Sequence, residues 1–257
     1  MTIWSPSHVE KWLQCPLKWK LERAGVAGAP REKWSPGLVV GIALHKGLAQ
    51  QMLGHPQALQ VADAELTRVW PPEQGDFQVG LEEAQGRMAK AFQVVVKEIL
   101  PQFAREQVLG VEVKLGDGDR ESGQYPGTAD LVTLNGEGSL TITDWKSHWT
   151  LADVYVHRNL SETVRLWQLH QYAHFAEKKY GQTVGYIRAV QIRCLPSPKA
   201  WAYQHQLTNE RLDQWYWEAA KIWRAMGDGE NMANVWPNWR SCEDYNQRCQ
   251  YFGRCHE

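Results

Sequence analysis

"GTADLVTLNGEGSLTITDWKS" (residues 127–147) reads as a β-hairpin. Gly127–Leu134 has the composition of a strand, Asn135-Gly136 is a hairpin turn signal, and Ser139–Lys146 returns as a second strand. Strand side chains alternate, so Asp144 and Lys146 share one face and Trp145 takes the other. Pairing around the turn brings Asp130 near Asp144. Two adjacent carboxylates repel and require a cation between them. Oxygen donors of this kind favour Mg²⁺ or Mn²⁺. Lys146, on the same face, is placed to hold a water or to stabilise negative charge at a phosphate. A lone Asp–Lys pair in a strand is more often a solvated cross-strand ion pair, so the flanking sequence has to decide between the two readings.

Upstream of the hairpin the chain is helical. Residues 5–23 carry a capping signal at Ser5-Pro6 or Ser7 with Glu10, and Val9, Trp12 and Leu13 recur at helical spacing. Pro16 should break or restart this helix just after Cys15. Residues 24–36 read as loop, 37–53, 56–69 and 78–105 as helices, and 108–115 as a strand. Downstream, 161–180 reads as helix, 183–194 and 200–206 as strands, and 208–226 as helix. The expected class is α/β, or α+β, with one central mixed sheet flanked by helices. The expected organisation is a single domain over 1–257. Within it, a mainly helical region spans 1–105, a core 106–226 and a cysteine-containing tail 227–257.

Composition narrows the class of function. The 257 residues carry 28 Lys and Arg against 29 Asp and Glu, a net charge of −1, so nucleic-acid binding has to come from a local basic surface or a bound metal. No apolar run approaches the roughly 20 residues of a membrane span. The opening Met-Thr-Ile-Trp-Ser-Pro-Ser is not a signal peptide, and a cytoplasmic location is expected. The 14 Trp are mostly expected to pack, although exposed rings can stack on unpaired bases. Three of the five Cys (Cys242, Cys249 and Cys255) fall in the tail, and Cys15 lies near the start. Clustered Cys in a reducing compartment suggests metal, and four thiolates suit either a tetrahedral Zn²⁺ or a [4Fe–4S] cluster. Cys194 has no Cys neighbour and reads as a packed thiol.

"GTADLV" followed by "LTITDWKS" resembles the two core motifs of the PD-(D/E)XK nuclease superfamily, with Asp130 matching the first Asp and Asp144 and Lys146 the (D/E)XK. "WQLHQYAHF" places Gln168 and Tyr172 one helical turn apart, similar to the Gln-x-x-x-Tyr motif of the RecB/AddB branch. "GIALHKGL" resembles the upstream helix of that branch, whose His, here His45, joins the metal site. Glu112 in "GVEVKL" falls where the branch often has a further acid, with Glu106 and Glu121 as competitors. "SPSHVEKWLQCPLKWKLE" is similar to the N-terminal helix of the iron–sulfur members, which include the AddB subunit and the CRISPR-adaptation nucleases. Those members place one Cys upstream of the core and three downstream. The six residues between Cys242 and Cys249 make a longer gap than theirs. The resemblance covers residues 3–20, 37–53, 108–180 and 242–255, and leaves 54–105 unmatched.

The resemblance implies a restriction-endonuclease-like core and a DNA nuclease, in the first place an exonuclease on single-stranded DNA. An endonuclease and a non-cleaving DNA- or partner-binding module with a metal staple are the alternatives. His45, Glu112, Asp130, Asp144 and the Trp145 carbonyl are the implied ligands of Mg²⁺ or Mn²⁺. Lys146, Gln168 and Tyr172 complete the catalytic set. Cys15, Cys242, Cys249 and Cys255 would hold the [4Fe–4S] cluster or Zn²⁺. Lys18, Lys20, Arg158 and Arg165 are candidate grips on DNA, from charge and position.

Overall fold

The computed structural model describes residues 3–26, 35–71, 79–116, 127–149 and 167–231. They form seven α-helices and five strands in the order α1 (Pro6–Gln14), α2 (Pro16–Arg23), α3 (Pro36–Met52), α4 (Ala58–Val69), α5 (Leu81–Val94), β1 (Gln107–Leu115), β2 (Gly127–Leu134), β3 (Leu140–His148), α6 (Trp167–Tyr180), β4 (Val184–Arg193), β5 (Lys199–Gln206) and α7 (Asn209–Asn231). The strands make one mixed sheet in the order β1-β2-β3-β4-β5. β2 and β3 are antiparallel, β3 and β4 parallel, and β4 and β5 antiparallel. This is the expected central mixed sheet with flanking helices. The parallel β3–β4 pair needs a crossover, and α6 lies within it. Residues 161–166, expected to begin that helix, and 232–257, with the three tail cysteines, lie outside the described residues, while residues 227–231, expected in the tail, continue α7. No helix among the described residues is long and apolar enough to cross a membrane.

The chain divides into two compact units, Met1–Lys33 with Gly116–Gly127 and Asn209–Glu257, and Trp34–Leu115 with Thr128–Thr208. In the first, proline sets the helix boundaries as expected. α1 stops at Gln14, Cys15 is extended, and Pro16 opens α2 where its missing N–H costs nothing. Tryptophan builds this unit's interior. Trp19 meets Trp4 and Trp12 edge-on at 5.2 and 5.1 Å between centroids, its indole N–H donates to His8 Nδ1 at 3.3 Å, and the Arg23 guanidinium lies 4.8 Å over Trp4.

The second unit holds the core that carries the hairpin. Ser35 caps α3 by accepting from the Leu38 N–H at 3.2 Å, with Pro36 next in line. One face of α3 buries Val40, Ala43, Leu44 and Leu48 against α4, α5 and the sheet, where Leu131, Trp145, Val190 and Ile192 meet them. Gly47 lets α3 and α4 approach closely, since a Cβ there would lie 2.6 Å from the Ala62 Cβ. After α5 the helix widens through a π turn (Val95–Ile99) and then tightens through a 3₁₀ turn (Leu100–Phe103), so the expected 78–105 helix changes hydrogen-bond register near its end. The chain then delivers Glu106 to Arg188, whose buried guanidinium also bonds Gln204 and lies 3.8 Å over the Phe103 ring.

The hairpin turn is longer than the two-residue Asn135-Gly136 signal suggests. Asn135 Oδ1 accepts from the N–H groups of Glu137 and Ser139, both at 3.0 Å, and Gly138 takes the left-handed conformation at φ +79°. The Asn side chain replaces the missing backbone partners of a wider turn. The strands still pair in the register Leu131↔Thr143, Val132↔Ile142. Asp130 and Asp144 therefore come next on the two strands.

Candidate active site

Where the next ladder pair would stand, a side chain takes over. The Trp145 N–H donates to Asp130 Oδ2 at 2.7 Å. Asp130 and Asp144 are both buried. As alternation predicts, β3 sorts its residues by face. Trp145 enters the core beside Phe103, with ring centroids 6.4 Å apart. Asp144 and Lys146 meet α6 instead. Lys146 Nζ donates to Asp144 Oδ1 at 3.2 Å and to Gln168 Oε1 at 3.1 Å. Gln168 Nε2 donates to Asp144 Oδ1 at 3.0 Å and to the Tyr172 hydroxyl at 2.9 Å. Gln168 thus bridges the acid and the amine, and Tyr172, one turn along, holds Gln168.

On the other side of Asp130, α3 brings His45, whose Nδ1 lies 3.4 Å from Asp130 Oδ1. His45, Glu112 and Asp130 each offer a donor atom within 4.8 Å of the others. Glu112 stands in β1 at φ +49°, a region that costs an L-residue free energy and recurs at functional sites. Of the rival acids, Glu106 is engaged by Arg188 and Thr133, and Glu121 lies outside the described residues.

The electrostatics are those of an acid cluster short of positive charge. Burial pushes the Asp144 carboxyl up to about 6, Asp130 adds to the rise, and Lys146 opposes it. Burial disfavours the His45 imidazolium, but Asp130, Asp144 and Glu112 more than reverse this and raise its pKa above the ordinary value. Lys146 Nζ lies 3.0 Å from Asp144 Oδ2 but outside hydrogen-bond geometry, and that buried oxygen has no other donor among the described residues. An imidazole nitrogen and clustered carboxylate oxygens, one of them an orphan, fit a hard divalent cation of the Mg²⁺ or Mn²⁺ kind.

The other expected residues fall differently. Lys18 and Lys20 are half-buried on α2, in the first unit. Arg158, Arg165, Cys242, Cys249 and Cys255 lie outside the described residues. Cys15 is buried and accepts from the Lys18 N–H at 3.5 Å. Cys194 is buried, which pushes its thiol up to about 12 and makes it inert, as its isolation suggested. Sequence reasoning passed over His148, which follows Lys146 on the same face and bonds the buried Gln191 through Nε2. The alternation that paired Asp144 with Lys146 extends to it.

The pKa of Asp144 fixes a pH dependence. Its folded-state value lies above the unfolded value of 3.8, so between about pH 4 and about pH 6 the folded chain holds a proton that the unfolded chain releases. In chelator-treated protein this contribution to stability is present below pH 4 and lost as pH rises towards 6. Urea unfolding should show the parent losing up to about 3 kcal/mol relative to Asp144→Asn across that window. Parallel profiles for the two proteins would contradict the burial of this charge.

Comparison with known proteins agrees with this geometry. The sequence matches the family model of the PD-(D/E)XK nuclease superfamily over residues 3–256. Among solved structures, a protein from Eubacterium rectale described as a candidate exonuclease superposes with a TM-score of 0.53 at 13% identity, covering 99% of this chain and 87% of that one. SSO0001 aligns at 15% identity over 93% of each chain with a TM-score of 0.29. No curated protein matches the sequence. With the match running nearly end to end and the acid–amine hairpin in place, the chain belongs to the PD-(D/E)XK nuclease superfamily.

Proposed function

We propose that the protein is a Mg²⁺- or Mn²⁺-dependent deoxyribonuclease that acts as an exonuclease on single-stranded DNA. The observation that carries the reading is the convergence of His45, Glu112 and Asp130 on one side and Asp144, Lys146 and Gln168 on the other. His45, Glu112, Asp130 and Asp144 would hold the ion, with the Trp145 carbonyl as a further donor. A bound divalent ion supplies a lowered pKa for water and neutralises charge on the phosphate.

The chain's own groups do the positioning. Lys146 Nζ, held by Asp144 and Gln168, donates its third N–H to the attacking water. Asp144 Oδ1 and Gln168 Oε1 keep that ammonium on the strand face instead of leaving it in solvent. Tyr172 fixes Gln168, so it acts through Lys146 and not on the substrate. The water oxygen attacks phosphorus and loses one proton to solvent, the ester bond to the leaving sugar oxygen breaks, and that oxygen takes up one proton from solvent. Positioning of this kind matters because small displacements of a reacting atom are costly in rate.

End-labelled single strands incubated with Mn²⁺ or with EDTA test the assignment. The parent should cleave with Mn²⁺ only, and Asp144→Ala should lose about a thousandfold or more in rate. Equal cleavage by both proteins would refute the site. A circular single strand should survive the parent, and its cleavage would establish endonuclease action instead. A parent that binds the strands and cuts neither would be a binding module.

The proposal extends to a cluster held by Cys15, Cys242, Cys249 and Cys255, as [4Fe–4S] or, alternatively, Zn²⁺. Cys15 is buried between α1 and α2, and its sulfur accepts from the Lys18 N–H. Hydrolysis transfers no electrons, so the cluster would staple distant parts of the chain. Anaerobically purified protein should contain iron and sulfide, and Cys15→Ser should lose both. Stoichiometric zinc in a colourless sample would remove the iron–sulfur assignment.

A further inference from the structure

A cleft of about 540 Å³ runs between α3 and the end of β3, and His45 and Lys146 form part of its lining. It is therefore continuous with the acid–amine cluster. Its size falls within the roughly 300–1,000 Å³ usual for sites that enclose a small molecule, too small for a duplex and sufficient for a nucleotide. Its two walls are apolar. On α3, Leu38 and Ile42 stand one turn apart, 48% and 37% exposed, on the side of the helix away from the core. The opposite wall carries Trp149, with the Arg87 guanidinium, itself paired with Glu83, 4.6 Å from the ring centroid.

The floor is polar, with Ser147 on the strand face that meets α3, while His148, also at the cleft, bonds the buried Gln191. Two glycines maintain this shape. A Cβ on Gly41 would lie 2.5 Å from Ser147 Oγ, and one on Gly37 would lie 3.1 Å from the Trp149 Cβ. A side chain at Gly41 would displace the Ser147 hydroxyl, and one at Gly37 would press on Trp149.

Apolar walls over a polar floor, opening beside a phosphate-directed amine, match a nucleobase with its flat faces and hydrogen-bonding edge. We propose that this cleft takes one unpaired base of the nucleotide next to the scissile phosphate, with Leu38 and Ile42 packing on the base face. The subsite rests on the nuclease reading above and gives its single-strand preference a cause. A base inside a duplex presents only its edges, and reaching Leu38 and Ile42 requires unpairing and unstacking it at a cost of a few kcal/mol. Stacking on such a wall tolerates any base, because every base has a flat face.

The test compares a labelled oligothymidylate with a strand of the same length built from abasic tetrahydrofuran residues, for the parent and for Leu38→Ser/Ile42→Ser. The parent should prefer the base-bearing strand in kcat/KM by on the order of tenfold. The double variant should cleave both strands at one rate. Both residues are exposed, so the variant should keep the parent's thermal midpoint. If it does not, the single changes Leu38→Ala and Ile42→Ala carry the same comparison. A variant that keeps the parent's preference, or a parent with none, overturns the subsite while leaving the nuclease intact. A parent that cleaves neither strand with Mn²⁺ overturns the nuclease reading and the subsite with it.

Discussion

Asp130 and Asp144 lie buried next to each other where the β2–β3 hairpin runs out of ladder bonds. Burying two carboxylates is unfavourable unless each is hydrogen-bonded or paired. The surrounding structure answers that cost group by group. The Trp145 N–H leaves the ladder for Asp130, Lys146 and Gln168 serve Asp144 Oδ1, and His45 faces Asp130 from α3. One buried oxygen of Asp144 still lacks a hydrogen-bond donor among the described residues. The hairpin, α3, α6 and Glu112 are all placed by reference to this pair.

The sheet makes the arrangement rigid by using both faces of β3. Trp145 anchors the strand in the core while its neighbours Asp144 and Lys146 face α6, so the acid cannot shift without unpacking the indole. The Arg188–Glu106 pair locks the end of the α5 segment onto the sheet near Thr143 and Thr133. A buried pair of this kind adds little net stability over apolar packing, but removing one partner leaves a stranded charge. Helix α3 also divides its labour by face, with Leu44 and Leu48 in the core, His45 at the acid pair, and Leu38 and Ile42 towards solvent.

Much of this was legible in the sequence because it follows local rules. Period-two alternation separated Trp145 from Asp144 and Lys146, helical spacing put Gln168 beside Tyr172, and Pro16 marked the break after Cys15. The central mixed sheet followed from the order of the elements. Other features depend on tertiary context and leave no local trace. The positive φ at Glu112 occurs at a residue type that disfavours it, so spacing alone left Glu106 and Glu121 in competition. The Asn135 side chain widened a turn that the Asn-Gly pair suggested would be tight. The partnership of Arg188 with Glu106 spans 82 positions, and neither residue has a neighbour in sequence that announces it. The cleft beside α3 exists because two glycines let a helix and a strand meet, which only the assembled unit reveals.

The account stands or falls on whether these side chains hold a divalent ion. Titrating Mn²⁺ into the protein while following the electron paramagnetic resonance signal of the free ion measures that directly. Asp130→Asn keeps an oxygen for the Trp145 N–H and removes only the charge. The parent should deplete the free-ion signal and Asp130→Asn should leave it near its buffer value. Equal depletion by both proteins, or none by the parent, would contradict the account.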